Sequence, residues 1–225
     1  FWGCSEKAAE FLLPSKLINE KKYCILTNGI ELSKFEFQNE IREKTRKILG
    51  VEDRFVIGHA GRFSTQKNHK FLLEIFKRIY CIDDSAVLIL FGVGELLEEI
   101  KSEAQKLGIS DRVIFYGASS EMEKMYMAMD VFVMPSLHEG LPVTGIEAQA
   151  SGLPCIFADT ITKEVDITST SKFLSINDDI DIWAKTIMEC KGKTRFNSLK
   201  LLKQKGYDIA DTARTVEEFY LKIKN

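Results

Sequence analysis

Two glutamates, Glu139 and Glu147, stand eight residues apart in a stretch that is otherwise small and apolar. Carboxylates spaced this way can do general acid/base work, or they can accept hydrogen bonds from sugar hydroxyls without moving a proton. Gly140-Leu141-Pro142 follows the first glutamate as a rigid turn. The second lies in a helical pattern over 143–151 beside the small residues Gly145, Ala148 and Ala150. Gly152-Leu153-Pro154 then ends that helix and launches an apolar strand. Turn, helix and strand in that order put one carboxylate at a helix mouth and the other one to two turns in. The arrangement suits a sugar and a ribose held side by side, with amides from about Val143 to Gly145 facing a phosphate. On spacing alone both glutamates could be surface residues. The small neighbours of Glu147 and the rigid entry at Gly140-Leu141-Pro142 argue against that for Glu147.

A second constellation is Gly61-Arg62-Phe63-Ser64-Thr65-Gln66-Lys67-Asn68, a glycine at the end of an apolar run followed by two cations. In a loop at a strand's carboxyl end, Arg62 and Lys67 could converge on one anion. The planar fork of one and the point charge of the other suit a diphosphate. The plainer alternative is two solvated surface cations. Phe91-Gly92-Val93-Gly94-Glu95 is another strand-end glycine loop, without the third glycine of a dinucleotide fingerprint. Its expected role is a tight turn that lets ligand or backbone come close. Val113 to Gly117 ends a third strand in the same way. His138 and His69 lack a nucleophile elbow nearby. His138 is expected to be structural or supporting, His69 a capping or surface group, and Cys155 a small core hydrophobe. Asp179 and Asp181 are expected to cap and start a helix rather than hold a metal.

The elements that must position these residues alternate. Strands are expected at 55–59, 86–91, 113–116, 131–134, 155–158 and 172–175, with helices at 70–80, 96–107, 121–128 and 143–151. The strand runs are rich in Val, Ile, Leu and Phe and barely alternate, as strands covered on both faces do. Strand–helix alternation gives an α/β fold, a Rossmann-like doubly wound parallel sheet whose ligands sit at the carboxyl ends of the strands. Outside this core, a helix is expected at 5–13, a short strand at 23–26, and a surface helix at 34–49. Three further helices are expected at 181–190, 195–205 and 211–224.

The bulk composition excludes several classes. The chain has 225 residues, 45% hydrophobic, with a formal charge of -2 from 31 basic and 33 acidic residues. Nothing in that balance argues for nucleic acid, and no apolar run approaches the roughly 20 residues of a membrane span. No signal peptide is evident. Five cysteines without a CxxC pair read as reduced thiols in a cytosol. The chain starts with Phe, so a fragment with sequence upstream is expected.

Taken in order, these motifs resemble the GT-B glycosyltransferases, specifically the large retaining glycosyltransferase family four, over roughly 22–224. Asn28-Gly29-Ile30-Glu31 looks like the family's Asn-Gly-Val/Ile-Asp turn. Gly61-Arg62 through Lys67-Asn68 looks like its basic loop, and Gly92-Val93-Gly94 like its Gly-x-Gly loop. Asp130 to Ser136 looks like its Asp-hydrophobic-Pro-Ser strand, and Glu139 to Glu147 like its Glu-(x)7-Glu motif. One departure is Gln149, where the family has a long aliphatic side chain; it is expected to conserve shape. The resemblance implies that the chain is the C-terminal, donor-binding half of a GT-B fold. Residues 1–20 would be the end of an acceptor domain and linker, 21–209 the donor domain, and 210–225 a helix packing back toward the missing domain.

The resemblance further implies that Arg62 and Lys67 hold the donor diphosphate and stabilise the leaving nucleotide, that Glu147 bonds the ribose, and that Glu139 bonds the transferred sugar. Gly61, Gly92, Gly94, Gly140, Leu141, Pro142, Val143 and Thr144 would complete the donor site, with Tyr116 and Gly117 near the base. The substrate would be a nucleotide-diphosphate sugar, with UDP as the family's commonest nucleotide. No cofactor and no essential metal are expected, since cations take the metal's place at the diphosphate. The expected partners are the donor and the missing N-terminal domain, with peripheral membrane contact through that domain an added option. The expected location is the cytoplasm or the inner face of the membrane. General similarity to capsule and exopolysaccharide enzymes suggests surface polysaccharide synthesis. The competing readings are another GT-B enzyme, such as a nucleotide-sugar epimerase or a phosphorylase, and a non-catalytic nucleotide-sugar-binding module.

Overall fold

In a computed structural model, which describes residues 1–224, the centre of the chain forms one six-stranded parallel sheet. Before it, β1 (Trp2–Gly3) pairs in parallel with β2 (Cys24–Ile25) as a separate two-stranded sheet. The main sheet comprises β3 (Phe55–Ala60), β4 (Ala86–Phe91), β5 (Val113–Gly117), β6 (Val131–Met134), β7 (Cys155–Ala158) and β8 (Lys172–Leu174). Every residue of β3, β4, β6 and β7 is buried, which is why these runs are apolar on both faces. The strands at the two edges, β5 and β8, are only partly covered.

The spatial order is β5-β4-β3-β6-β7-β8. Counted from the first strand of the sheet this is 3-2-1-4-5-6, the Rossmann order. The chain reverses direction across the sheet between β3 and β6, and the crevice for a ligand opens at their carboxyl ends. Helices cover both faces. α4 (His69–Ile82) packs with α5 (Leu97–Lys106) and α8 (Ile180–Met188). α6 (Met122–Ala128) packs with α3 (Asn39–Leu49) and α7 (Val143–Ala150). The buried side chains of α4, Leu72, Leu73, Ile75, Phe76 and Ile79, recur at the three-to-four spacing of one helix face.

Three sequence expectations are corrected here. The helix expected at 34–49 divides into a 3-10 turn, Leu32–Phe35, and α3, because Leu32 and Phe35 anchor the first piece in the core. The helix expected at 195–205 shortens to α9 (Leu199–Gln204). Arg195 instead points inward and donates to the carbonyls of Ser151, Tyr126, Met127 and Met129. The expected helix at 5–13 is α1 (Glu6–Leu12), capped by the Ser5 hydroxyl on the Ala8 amide and followed by the short α2 (Ser15–Asn19); β1 ahead of it gave no sequence signal. The last helix, α10 (Ile209–Lys224), places Phe219 edge-on to Trp2 with ring centres 4.9 Å apart. Asn225, the end of the expected C-terminal segment, lies outside the described residues.

At the amino end of β6 a closed ionic cluster ties α3 to the sheet and to the end of α6. Asp130 accepts from Arg42 and Arg46 of α3 and from the Val56 amide at 2.7 Å. Arg46 also donates to the carbonyls of Glu52, Ala128 and Arg54, and Arg42 to those of Met127 and Met129. Burial lowers the Arg46 guanidinium, and lowers that of Arg195 to about 9, which leaves it charged at neutral pH.

Candidate functional site

The loops after β3 and β6 flank the point where strand order reverses, and they meet there. Lys67 Nζ lies 2.6 Å from Glu139 Oε1, with side chains 15% and 9% exposed. Gln66 holds the same carboxylate through its amide nitrogen, 3.2 Å from Oε2, and also donates to the His138 carbonyl at 2.9 Å. The Leu137 amide donates to the Gln66 carbonyl at 2.8 Å, and Asn68 reaches the Pro135 carbonyl at 3.2 Å. Gln66 and Asn68 therefore stitch the basic loop to the acidic one. Gln66 drew no attention in the sequence, and its only signal was a position inside the basic loop.

Beyond Glu139 the backbone turns at Gly140, where an added Cβ would meet nothing within 4 Å, and enters α7 through Pro142. The amides of Gly140, Leu141, Val143 and Thr144 have no partner among the described residues. Gly145 differs from the expectation: its amide is used by the Pro142 carbonyl at 3.0 Å. The free donors at this helix entry therefore stop at Thr144, and with the helix dipole they form a site of positive potential. Glu139 also lines a cavity of about 410 Å³ with His138, Gly140, Thr160 and the α1 residues Lys7, Ala8, Phe11 and Leu12.

Glu147 lies one turn further along α7. Its carboxylate is mostly buried, which raises its pKa, while a hydrogen bond from the Tyr126 hydroxyl at 2.9 Å works in the opposite direction. The surface reading of this residue is thereby excluded. Gln149 departs from its expectation of conserved shape. It is 1% exposed and acts as a polar clasp, donating to the Gly145 and Val165 carbonyls and accepting from the Thr168 amide and hydroxyl. An aliphatic side chain could make none of these bonds.

Arg62 stands apart from Lys67. Its side chain is 74% exposed and pairs with Glu95 at 3.2 Å, so the two cations sit on different carboxylates. An exposed pair of this kind is worth about 0–1 kcal/mol and yields readily to a better anion. Gly92 and Gly94 let backbone come close, as one of the two expected roles has it. A Cβ at Gly92, where φ is +137°, would lie 2.1 Å from the Gly61 carbonyl oxygen, and one at Gly94 would lie 2.4 Å from that of Phe63. Gly61 donates to Phe91 and Gly92 to Gly117, which extends the sheet's ladder through all three glycine loops. Tyr116 is exposed at the outer end of this row, 5.1 Å ring to ring from Phe91.

The histidines correct two further expectations. His69 is neither a cap nor a surface group: it is 2% exposed, stacked on Phe63 at 4.2 Å, and burial pushes its pKa down to about 4. It is buried because α4 presents its first turn to the core beneath the basic loop. His59 of β3, fully buried, lies edge-on to it at 4.9 Å and is also driven well below the ordinary histidine value by burial. Both imidazoles are therefore neutral beneath Lys67. The ring of His138 is exposed, and only its backbone carbonyl supports Gln66. Cys155 is a buried core residue as expected, and the five cysteines are all free. Asp179 caps α8 by accepting from the Asp181 amide at 2.9 Å, and Asp181 pairs with Arg78, also as expected.

Strand order and crevice define a Rossmann-like α/β protein with flanking helices. Residues 41–206 match the family described as Glycosyl transferases group 1. The chain belongs to that family. It is 38% identical over 211 residues to the Bacillus subtilis (strain 168) protein EpsF, covering 92% of this chain and 55% of that one. It is 32% identical over 168 residues to the capsular polysaccharide biosynthesis glycosyltransferase CapM of Staphylococcus aureus, covering 72% of this chain and 43% of CapM. The chain thus spans about half the length of these relatives. In fold it is similar to Anabaena Alr3699/HepE solved with UDP-glucose, at a TM-score of 0.82 and 18% identity, covering 98% of this chain and 63% of that one. No described helix is long and apolar enough to cross a membrane.

Proposed function

We propose that this chain is the donor-binding part of a retaining glycosyltransferase that uses a nucleotide-diphosphate sugar, UDP-linked in the first instance, in surface polysaccharide synthesis. One observation carries the reading. A lysine–carboxylate pair, Lys67–Glu139, and four amides with no partner among the described residues share the crevice where the strand order reverses. Departure of a nucleoside diphosphate builds negative charge on its phosphate oxygens. Fixed cations and backbone donors aimed there stabilise that charge most in the transition state. Lys67 and the amides of Gly140, Leu141, Val143 and Thr144 supply the fixed part, and Arg62 swings in from its exposed pair with Glu95. Glu139 accepts from hydroxyls of the transferred sugar, and Glu147 from the ribose. Tyr116 and Gly117, at the outer end of the glycine row, face the base.

In this reading the cations do the work of a metal at the diphosphate, and no metal is needed. The acceptor is bound by a separate domain, whose last segment residues 1–20 represent, and α10 packs back toward that domain. Such a domain is also where contact with the inner face of a membrane would arise. Support for UDP comes from HepE, solved with UDP-glucose; support for polysaccharide synthesis comes from CapM.

The test is calorimetric titration of the chain with UDP, GDP and ADP beside an Arg62→Ala/Lys67→Ala double variant. Binding of UDP that disappears in the double variant supports the reading. A folded chain that binds no nucleotide, or binds one equally well without the two cations, overturns it. Sugar transfer by this chain alone would overturn the assignment of the acceptor to a separate domain.

A further inference from the structure

Tyr126 is a wholly buried residue of α6, 0% exposed, with its ring 5.8 Å from Phe132 in an edge-on contact and 6.1 Å from Phe35. A phenylalanine would fill that space equally well, and a buried hydroxyl brings a desolvation cost that only a hydrogen bond offsets. The bond it makes is to Glu147 Oε2 at 2.9 Å, across the α6–α7 contact. Oε1 of the same carboxylate has no donor among the described residues. One oxygen is thus anchored inside the protein and the other is left for a ligand.

We propose that Tyr126 is a positioning residue for nucleotide binding, its phenol holding the Glu147 carboxylate so that the free oxygen meets a ribose hydroxyl. This rests on the ribose assignment of Glu147 above. An unanchored carboxylate at this depth would lose on two counts. It would have rotamers to surrender on binding, and burial would favour its protonated form, a weaker acceptor for a ribose hydroxyl. Tyr126 opposes both. The other groups acting on the pair are few. Glu123 on α6 faces Glu147 and raises its pKa, Lys34 beside Glu123 is committed to Glu31, and Cys155 on β7 faces Tyr126. None of these donates to Glu147. The plainer alternative is a core tyrosine that uses the nearest acceptor with no consequence for ligands.

The experiment is UDP affinity by calorimetry from acid to neutral pH for the chain and three variants. Tyr126→Phe keeps the ring and removes the donor. Affinity at neutral pH should fall roughly tenfold, the size of a hydrogen bond to a charged group, and the acid limb of the profile should move to higher pH. Replacement of Tyr126 by 3-fluorotyrosine, a more acidic phenol of nearly the same shape, should move the limb to lower pH; it carries the test if Tyr126→Phe does not fold. Glu147→Gln should weaken binding and leave only the limb set by UDP's own terminal phosphate, which ionises at about pH 6, and adding Tyr126→Phe to it should then change nothing further. If Glu147→Gln weakens binding while both Tyr126 variants keep the wild-type affinity and limb, the positioning role is overturned and the ribose assignment stands. If Glu147→Gln binds UDP like the wild type, the ribose assignment itself is overturned and the role of Tyr126 goes with it.

Discussion

Strand β6 carries an ionic cluster at each end, and the two are built on opposite principles. At its amino end Asp130 is saturated: two guanidinium groups and a backbone amide converge on it, and those guanidiniums go on to satisfy carbonyls of α6 and its neighbours. At its carboxyl end Glu139 is held by Lys67 and Gln66, while the amides beyond it have no partner among the described residues. The charges are alike, and so is the burial to a first approximation. The difference lies in completeness. A closed network does structural work because every donor is already used. An open one keeps electrostatic potential in reserve for a ligand, in the crevice where the Rossmann strand order leaves room.

The largest effect comes from opening the closed end. Asp130→Ala leaves Arg46 buried without its counter-charge and should cost about 3–5 kcal/mol in urea unfolding, while the folded fraction keeps its UDP affinity. Lost affinity with little lost stability would erase the distinction between the two ends.

Acid should strike the open end next. His59 and His69 are buried and neutral, and His69 has a folded pKa of about 4 against an ordinary 6.5. A depressed folded value means that the unfolded chain takes up the proton first, so stability is intact above 6.5 and falls as pH drops toward 4. The loss from His69 alone is about 3 kcal/mol. His69→Phe should reduce the pH dependence of the urea midpoint over that window; an unchanged slope would remove His69 as a source of it.

Lys67→Ala sharpens the comparison from the other side. UDP affinity should fall at least tenfold, a charge-assisted contact worth about 1.5–3 kcal/mol, with a stability loss well below that of Asp130→Ala because Gln66 still holds Glu139. A larger stability loss than Asp130→Ala would make the pair structural. The smallest effect belongs to Arg62. Arg62→Ala should leave stability within about 0.5 kcal/mol and weaken UDP severalfold at low salt, a gap that added salt narrows. Salt titration of the two proteins side by side measures it.

Much of this molecule could be read locally. The buried strands announced themselves as unbroken apolar runs, the loops of interest all followed strands, and Asp179-Ile180-Asp181 declared a helix start. These features depend on residues within a few positions of one another, where backbone period and capping chemistry act directly. The roles of single side chains within the loops were less legible. Gln149 looked like a substitution that merely conserves shape because three of its four side-chain hydrogen bonds reach across to Val165 and Thr168, well outside its own helix. His69 looked like a cap because nothing nearby in sequence says that the first turn of α4 faces inward. Arg195 looked helical because its carbonyl partners lie more than forty residues back.

The sequence by itself determined the α/β class, the order of the elements and which loops are rich in glycine, charge and carboxylates. Only the tertiary structure decided that β3 and β6 are neighbours, and so which loops meet. Lys67 and Glu139 are 72 residues apart in the chain, and Tyr126 and Glu147 are 21. No local pattern encodes such pairs. They exist because the chain, after laying β4 and β5 on one side of β3, returns to place β6 on its other side, bringing two distant strand ends to one crevice.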